Sequence, residues 1–484
     1  MMDTKVLLTD EQMAQFITKG YVVLRNELPS DFHELVRNKI DYVCKEEGNP
    51  GNNFLPRVPE IGEFFETPVV RGALTSILGP DYFMHPHNHM HYNRPGKEKP
   101  QNWHKDGYWS SMRSHRPWWA MIFYYTHDVT TEMGPTAVMP GTQYHQSFIG
   151  EQGVEALPAG KAGTMVLAHF DIWHRGSHNL TETTRQMLKF QFVRRTAPTA
   201  PSWNHKNEEL VLPDDLSFGQ INLWQDVWAW LRGKERIDEQ PTVDPSANNT
   251  SRLANLLDDS VEIAALNAAY ALSHMGENGM NALFGQLTDG SEKAALRAAY
   301  GLQGCGRQAV PGLVERLRHP NEKRRALAAF VLGMLGSAAR EAVSPLLAAL
   351  ADDSEWVRRN SIEALGMISE PGDAALIGIA NALEQSLRDE AVGGSDANSH
   401  SIQPYILNKI GYTSTLSLSR LARKQDADLI VGALKQALES RDRYVRAYAS
   451  EALSLLRTEE ALEVLFRFFK VSRWCKDTHK ASNT

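Results

Sequence analysis

Residues 102–109, Asn-Trp-His-Lys-Asp-Gly-Tyr-Trp, hold a histidine and an aspartate two positions apart. If this stretch is a strand, His104 and Asp106 project from the same face. An imidazole and a carboxylate side by side supply two of the three ligands of a 2-His-1-carboxylate triad. That triad leaves open positions on a non-haem Fe(II) ion and is typical of oxygenases. An ordinary surface strand with a salt-bridged histidine explains the same pair, so a third ligand must decide.

A second polar cluster, at residues 169–185, offers that ligand together with a cation. Its pattern, His-x-Gly-Ser-x-Asn-x-Thr followed by an arginine, is formed by His174, Gly176, Ser177, Asn179, Thr181 and Arg185. It resembles the distal motif of the phytanoyl-CoA dioxygenase family, whose members are Fe(II)/2-oxoglutarate oxygenases on a double-stranded β-helix. Residues 8–12 and 20–25 also resemble the opening helix and strand of the family, and residues 134–142 resemble one of its turns. The chain departs from that turn at Met133, before the glycine, and at Gln143, where the family has a histidine.

The resemblance assigns His104, Asp106 and His174 to iron, and Arg185 to the distal carboxylate of 2-oxoglutarate. An arginine suits that role because its guanidinium pairs bidentately with a carboxylate and stays charged. Further candidates for co-substrate contacts are Thr181 of the motif, Asn93, and Phe123, which falls where the family has an aromatic residue. Two neighbouring histidines remain alternatives to His174 as the third ligand, namely His169 and His178.

Composition and charge limit the other function classes. The 484 residues are 42% hydrophobic and 23% charged, as in an ordinary globular protein of two or three domains. The net charge of -7 argues against general nucleic-acid binding. The three cysteines are scattered and odd in number, which favours a reducing compartment over a disulfide framework. With no recognisable secretory signal and no long apolar run, we expect a cytoplasmic protein without a membrane span.

The N-terminal region is predicted to form an eight-stranded jelly roll, whose mouth is a common place for a small-ligand pocket. Helices are expected at 9–19 and 30–46, a loop at 47–60, and strands at 118–125, 161–168 and 186–194. One further strand is unusual because it places a ladder of histidines on one face: His85, His87, His89 and His91. We interpret the ladder as a polar inward face of the barrel, with a second metal site as the alternative.

The C-terminal region repeats. The segment Ala-Ala-Tyr within residues 265–272 recurs within 295–302, and related helical segments follow at 325–333, 358–366 and 445–453. Pairs of short amphipathic helices with small residues at their contacts predict an α-solenoid of HEAT-like repeats. The predicted organisation is therefore an oxygenase domain at 1–235, a Pro-bearing linker at 236–251, the solenoid at 252–470 and a polar tail at 471–484, with a flexible insertion at 388–404.

Three functions are compatible with these features. The first is an Fe(II)- and 2-oxoglutarate-dependent dioxygenase that uses O2, is supported by ascorbate in vitro, and hydroxylates a C–H bond of a small polar metabolite. Hydroxylation fits Asp106, because related halogenases replace this carboxylate with a small residue. The second is the same oxygenase acting on a protein or peptide that the repeats dock. The third is a scaffold with a vestigial jelly roll. For the repeats, partner binding, self-association and packing on the oxygenase domain all remain open.

Overall fold

The computed structural model describes residues 4–96, 99–107, 110–148, 150, 155–216, 219–234, 246–368, 370, 372–392 and 405–472. Its contacts divide the chain into two compact units. The strand-rich unit comprises Met1–Asp106, Pro117–Gly219 and Val471–Thr484. The helical unit comprises Gln220–Lys470 together with the short segment Gly107–Arg116.

The strand-rich unit is built on two antiparallel sheets, as the jelly-roll prediction requires. Within the described residues, six strands form one sheet in the order β1-β6-β4-β8-β2, with β3 also paired to β8, and β5 pairs with β7. The strands are β1 Tyr21–Arg25, β2 Phe83–Met84, β3 His89–Asn93, β4 Trp119–Tyr124, β5 Thr136–Val138, β6 Thr164–His169, β7 His174–Gly176 and β8 Arg185–Val193. Strands β4, β6 and β8 are buried along their whole length. Burial on both faces explains the nearly continuous apolar sequences of β4 and β6.

The first two helices of this unit begin where the sequence predicts them. Thr9 caps the first helix, since its side chain accepts from the amide of Gln12 while the Gln12 side chain accepts from the Thr9 amide. The helices of this unit are α1 Asp10–Lys19, α2 Ser30–Glu47, α3 Phe54–Arg57, α4 Glu60–Glu66 and α5 Pro68–Leu78. The prediction of a loop at 47–60 was wrong in part, because Phe54 is fully buried and holds α3 against the core.

Two predicted strands also differ in the structure. Residues 102–107 are not a strand, because His104 forms only an isolated antiparallel bridge, with His174. The histidine ladder is not one strand: His85 and His87 lie between β2 and β3, while His89 and His91 belong to β3. Residues 85–88 separate the two strands because the chain bends there before it rejoins β8.

The helical unit is an array in which successive helices pack on one another. Its helices are α6 Ile221–Leu231, α7 Ala247–Leu256, α8 Glu262–Ser273, α9 Gly276–Asp289, α10 Glu292–Gly304, α11 Val310–Arg316, α12 Glu322–Leu335, α13 Val343–Ala348, α14 Glu355–Met367, α15 Asp373–Ala391, α16 Lys409–Leu421, α17 Ala427–Ala437, α18 Arg443–Leu456 and α19 Glu459–Ser472. The predicted repeat segments lie in α8, α10, α12, α14 and α18. One apolar stretch, Glu322–Ala351, is long enough to cross a membrane, but 78% of its most apolar window is buried inside the protein.

Helix α16 continues the array between α14 and α18, and the repeat pattern missed it. Its inner positions carry serine and threonine where the other copies have alanine. Two of these buried hydroxyls donate to main-chain carbonyls: Ser419 to Thr415 O at 2.9 Å and Ser417 to Ile362 O at 3.1 Å. Small side chains are required here, because a β-carbon on Gly366 would lie 2.5 Å from Ser417.

Three predicted features fall wholly or partly outside the described residues. The predicted linker at 236–251 lies outside them up to residue 245, and helix α7 already begins at Ala247. The predicted insertion at 388–404 overlaps the end of α15, and its residues 393–404 lie outside the described part. The predicted tail lies outside it from residue 473 onwards.

Candidate metal centre and co-substrate pocket

Two backbone segments bring the three predicted ligands together. The amide of His104 donates to His174 O, and the amide of His174 donates to His104 O, both at 3.0 Å. This two-way bridge fixes the start of β7 beside the His-x-Asp segment. One side-chain donor atom from each of His104, Asp106 and His174 then lies within 4.8 Å of the others. Among the described residues, neither alternative ligand belongs to this group. His169 is buried against Phe16 and Tyr144, whereas His178 lines the cavity beside His104 and His174.

The hydrogen bonds of the two histidines suit metal binding. His104 Nδ1 lies 3.0 Å from Asn102 O, and His174 Nδ1 lies 3.0 Å from Ile172 O. A carbonyl oxygen only accepts, so each Nδ1 carries the proton and each Nε2 is left with a lone pair. Metal-bound histidines are oriented in this way by a bond from the other ring nitrogen. Two such Nε2 atoms and a carboxylate fit a divalent first-row metal ion.

Charge in the site keeps the carboxylate ionised. Burial alone would raise the pKa of Asp106, but the Lys189 ammonium and the imidazoles of His174 and His104 hold that pKa well below its ordinary value. Burial lowers the pKa of His174 to about 4, although Asp106 opposes this effect. At neutral pH the two groups are therefore an anionic carboxylate and a neutral imidazole, the forms that bind a metal.

Lys189 and Gln191 belong to this site, and the sequence analysis did not single them out. Lys189 Nζ lies 2.7 Å from Asp106 Oδ2, and Gln191 Nε2 lies 3.3 Å from the same oxygen. Both residues lie on β8, where Arg185, Met187, Lys189 and Gln191 share one face, and the apolar Leu188, Phe190 and Phe192 lie on the other. That period of two in the predicted strand was the available signal.

A cavity of about 350 Å³ opens beside the two candidate histidine ligands. Its lining is mainly polar or cationic and includes His91, Asn93, Phe123, His174, Arg185 and Lys189. Strand pairing explains this composition, because Asn93 lies opposite Arg185, His91 opposite Met187 and His89 opposite Lys189. Residues in such pairs share one face of the sheet. Within the described residues, the histidine ladder forms no further metal-binding group, and the inward-face interpretation accounts for His91.

Arg185 lines this cavity and is almost fully buried, with 2% of its surface exposed. Its Nε donates to Gly134 O at 3.1 Å, whereas Nη1 is buried without a hydrogen-bond partner. Burial lowers the pKa of this guanidinium from its ordinary value. A cationic nitrogen buried without a partner is costly, so an anion in the cavity would stabilise it.

The remaining predicted contacts occupy different positions. Phe123 lines the cavity, with its ring centroid 5.8 Å from that of His174. Asn93 also lines it, but its amide nitrogen already donates to Gly134 O and Ser177 O, both at 2.8 Å. Thr181 is not among the cavity-lining residues, and its hydroxyl lies 2.8 Å from Asn179 Oδ1 in the turn before β8.

The carbonyl of Gly134 accepts hydrogen bonds from both Asn93 and Arg185. The φ of this glycine, +68°, lies in the left-handed region, and a β-carbon there would lie 2.3 Å from Asn93 Nδ2. Only glycine allows its carbonyl to accept from both Asn93 and Arg185 at this distance. The turn thus fixes the orientation of Arg185.

Comparisons with known proteins agree with this architecture. Residues 8–187 match the family model of phytanoyl-CoA dioxygenase (PhyH), and residues 310–392 match that of HEAT repeats. No curated protein matches the chain.

Several solved structures are similar to part of it. The non-heme alpha ketoglutarate dependent carbocyclase SnoK from nogalamycin biosynthesis is 15% identical, with 43% of this chain and 96% of that chain covered and a TM-score of 0.34. EctD from S. alaskensis in its apoform is 16% identical, with 41% and 82% covered and a TM-score of 0.35. HygX from Streptomyces hygroscopicus with nickel and 2-oxoglutarate bound is 15% identical, with 38% and 87% covered and a TM-score of 0.32.

Residues 8–187 therefore form an oxygenase-like domain that matches the family model of phytanoyl-CoA dioxygenase, and the helical region that follows includes HEAT repeats at residues 310–392.

Proposed function

We propose that this protein is an Fe(II)- and 2-oxoglutarate-dependent dioxygenase that hydroxylates a C–H bond of a small polar metabolite and converts 2-oxoglutarate to succinate. One observation carries the proposal. The buried Nη1 of Arg185 has no hydrogen-bond partner and belongs to a residue that lines the same cavity as His104 and His174. The Arg185 guanidinium would be stabilised by a bound anion. Because it lies beside three clustered side chains that could bind a metal, this arrangement supports binding of a dicarboxylate such as 2-oxoglutarate.

His104, Asp106 and His174 would hold the iron. When bound, Fe(II) supplies an oxygen-activating centre that couples decarboxylation of 2-oxoglutarate to oxidation of the substrate. The two histidines are preorganised for metal binding, because the hydrogen bonds from their Nδ1 atoms to main-chain carbonyls orient both imidazoles. Lys189 holds the carboxylate of Asp106 by both oxygens. These bonds restrict the rotamers of the ligands.

Arg185 would bind the distal carboxylate of 2-oxoglutarate. Its Nε is held by Gly134, so the free edge of the guanidinium is fixed in orientation before the co-substrate enters. A bidentate pair between guanidinium and carboxylate combines charge with geometric selectivity. The buried position excludes water that would otherwise weaken the pair.

The size and lining of the cavity favour a small polar substrate. A volume of about 350 Å³ lies at the lower end of the range for small-molecule sites, and 2-oxoglutarate takes part of it. Lys99 and His178 are among the lining residues and offer polar contacts. We propose a cytoplasmic location, since three cysteines scattered along 484 residues are not the pattern of a disulfide framework.

The test is incubation of the purified full-length protein with Fe(II), ascorbate, 2-oxoglutarate and a library of polar metabolites in air. We expect at least one compound to gain the mass of one oxygen atom, with succinate formed in matching amount. An Asp106→Ala variant is the control and should give neither product. Oxidation of library compounds that does not require 2-oxoglutarate would contradict the proposal.

A further inference from the structure

A short stretch of the chain lies between the proposed ligand Asp106 and strand β4, and it belongs to the helical unit. We call residues 110–116 the connecting segment. Gly107 and the connecting segment group by their contacts with Gln220–Lys470, whereas Asp106 and Pro117 group with the strand-rich unit. The main chain therefore leaves the strand-rich unit directly after Asp106 and returns to it just before β4.

Arg116 anchors the C-terminal end of the connecting segment. Only 4% of its surface is exposed. Its Nη1 donates to Met334 O at 2.6 Å and its Nη2 donates to Gln303 O at 3.2 Å, while Asp226 Oδ2 lies 3.6 Å from Nη2. A buried guanidinium shared among the ends of α10 and α12 and helix α6 fixes this end of the segment to the array.

His115 contacts the tyrosines that occupy equivalent positions in two successive repeats. Its ring stacks on Tyr300 with centroids 3.8 Å apart, and its Nδ1 lies 2.9 Å from the hydroxyl of Tyr270. Tyr300 also donates its hydroxyl proton to Arg113 O at 3.1 Å. The tyrosines of the repeated Ala-Ala-Tyr motif therefore bind a segment of the same chain.

The other end of the connecting segment is held by helix α14. The amide of Ser111 donates to Glu363 Oε2 at 2.9 Å, and Trp356 Nε1 donates to Ser111 O at 3.2 Å. Both main-chain groups of Ser111 are therefore bonded to side chains of one helix. Closer still to the ligand, a β-carbon on Gly107 would lie 1.5 Å from the hydroxyl oxygen of Tyr405.

We propose that the repeat array is a positioning element of the active site, and that the partner bound by this surface of α8, α10 and α14 is the connecting segment rather than a second protein. Gly107 is bonded directly to Asp106, so the close packing of Gly107 against Tyr405 restrains the main chain of the proposed ligand. Supporting groups around a metal ligand change metal affinity by about 10–100-fold when they are lost. This inference rests on the proposed function, because it takes Asp106 as a metal ligand.

The test uses full-length protein carrying Tyr270→Phe, Tyr300→Phe and Trp356→Phe together. The three changes remove one donor or acceptor each and keep an aromatic ring in place, so the repeats retain their packing. Tyr448→Phe is the matched control, because that buried tyrosine packs on Tyr412 of α16 in a later repeat. Hydrogen exchange of peptides covering residues 110–116 and anaerobic titration with Co(II) are measured on each protein.

We expect slow exchange in wild type, exchange faster by about tenfold or more in the triple variant, and Co(II) affinity lower by about tenfold. Tyr448→Phe should leave both within about twofold of wild type. Fast exchange of the segment in wild type would overturn the inference, as would unchanged Co(II) affinity in a triple variant that has lost its protection. If wild type binds no Co(II) at all, the proposed metal site fails and the inference falls with it, so the two failures are distinguishable.

Discussion

The ammonium nitrogen of Lys189 lies 2.9 Å from Asp106 Oδ1 and 2.7 Å from Asp106 Oδ2. The side chains of the pair are only 8% and 14% exposed. A lysine therefore supplies the counter-charge of the carboxylate that we propose as a metal ligand, and it does so from the same strand face as Arg185. The pair links the metal site to the co-substrate site through one strand, β8.

Lys189→Met should destabilise the metal-free protein more than the metal-bound protein. Removing one member of a buried ion pair costs at most about 3–5 kcal/mol, and a bound dication would replace the missing positive charge. Thermal melts with and without Co(II) should show a larger metal-induced rise in Tm for the variant than for wild type. Lys161→Met is the control, because its ion pair with Asp128 is exposed and contributes little. Equal Tm losses in both states would argue that Lys189 does not neutralise Asp106.

Arg185→Ala should weaken 2-oxoglutarate binding by roughly 100- to 5,000-fold, because the carboxylate would lose its partner in a buried site, at a cost of about 3–5 kcal/mol. Arg185→Lys should be intermediate, since it keeps the charge and loses the bidentate geometry. Calorimetric titration of the anaerobic Co(II) form measures both. Co(II) affinity itself should change little. If Arg185→Ala lowers Tm but keeps 2-oxoglutarate affinity within about threefold, Arg185 only supports the Gly134 turn.

Asn93→Ala separates a structural role from direct co-substrate binding. The Asn93 amide already bonds the carbonyls of Gly134 and Ser177, so its loss should cost about 1–3 kcal/mol of stability. Affinity for 2-oxoglutarate should stay within about threefold of wild type. Chemical denaturation and the same titration provide the two measurements. A loss of affinity above about tenfold with unchanged stability would assign Asn93 a direct contact.

Stability should fall at mildly acidic pH because buried histidines are neutral in the folded state. Burial lowers the pKa of His145 to about 3. The unfolded chain takes up its proton near pH 6.5 and the folded chain does not, so the stabilisation is complete above pH 6.5 and is lost as pH falls. Between pH 6.5 and 5 this single group should cost about 2 kcal/mol. Urea unfolding of wild type and His145→Gln across that range checks the sign, and parallel pH profiles would contradict it.

The sequence predicted the buried strands, the opening helices and the repeats because each has a strong period or a capping signal. Trp118–Tyr125 is apolar throughout and became the fully buried β4, and the Ala-Ala-Tyr motif marked α8 and α10. Helix α16 was missed since serine and threonine replace alanine while filling the same small space.

Long-range pairing explains what the sequence could not predict. His104 and Asp106 share a site without a strand, because the bridge to His174 replaces strand pairing. The partner of Asp106, Lys189, is remote in sequence and became evident only with the register of β8. The packing of residues 110–116 could not be predicted from the sequence either, because their contacts with Tyr300 and Glu363 join distant parts of the chain.

The central claim is that His104, Asp106 and His174 form an iron site that uses 2-oxoglutarate, and succinate formation under controlled metal loading tests it most directly. Metal-free wild type given Fe(II), ascorbate, O2 and 2-oxoglutarate should form succinate. The same protein given Zn(II), which binds at least as tightly as Fe(II) in such sites, should form none. Folded His104→Ala and Asp106→Ala variants should be inactive with either metal. Succinate formation with Zn(II) alone, or full activity in either folded variant with Fe(II), would contradict the account.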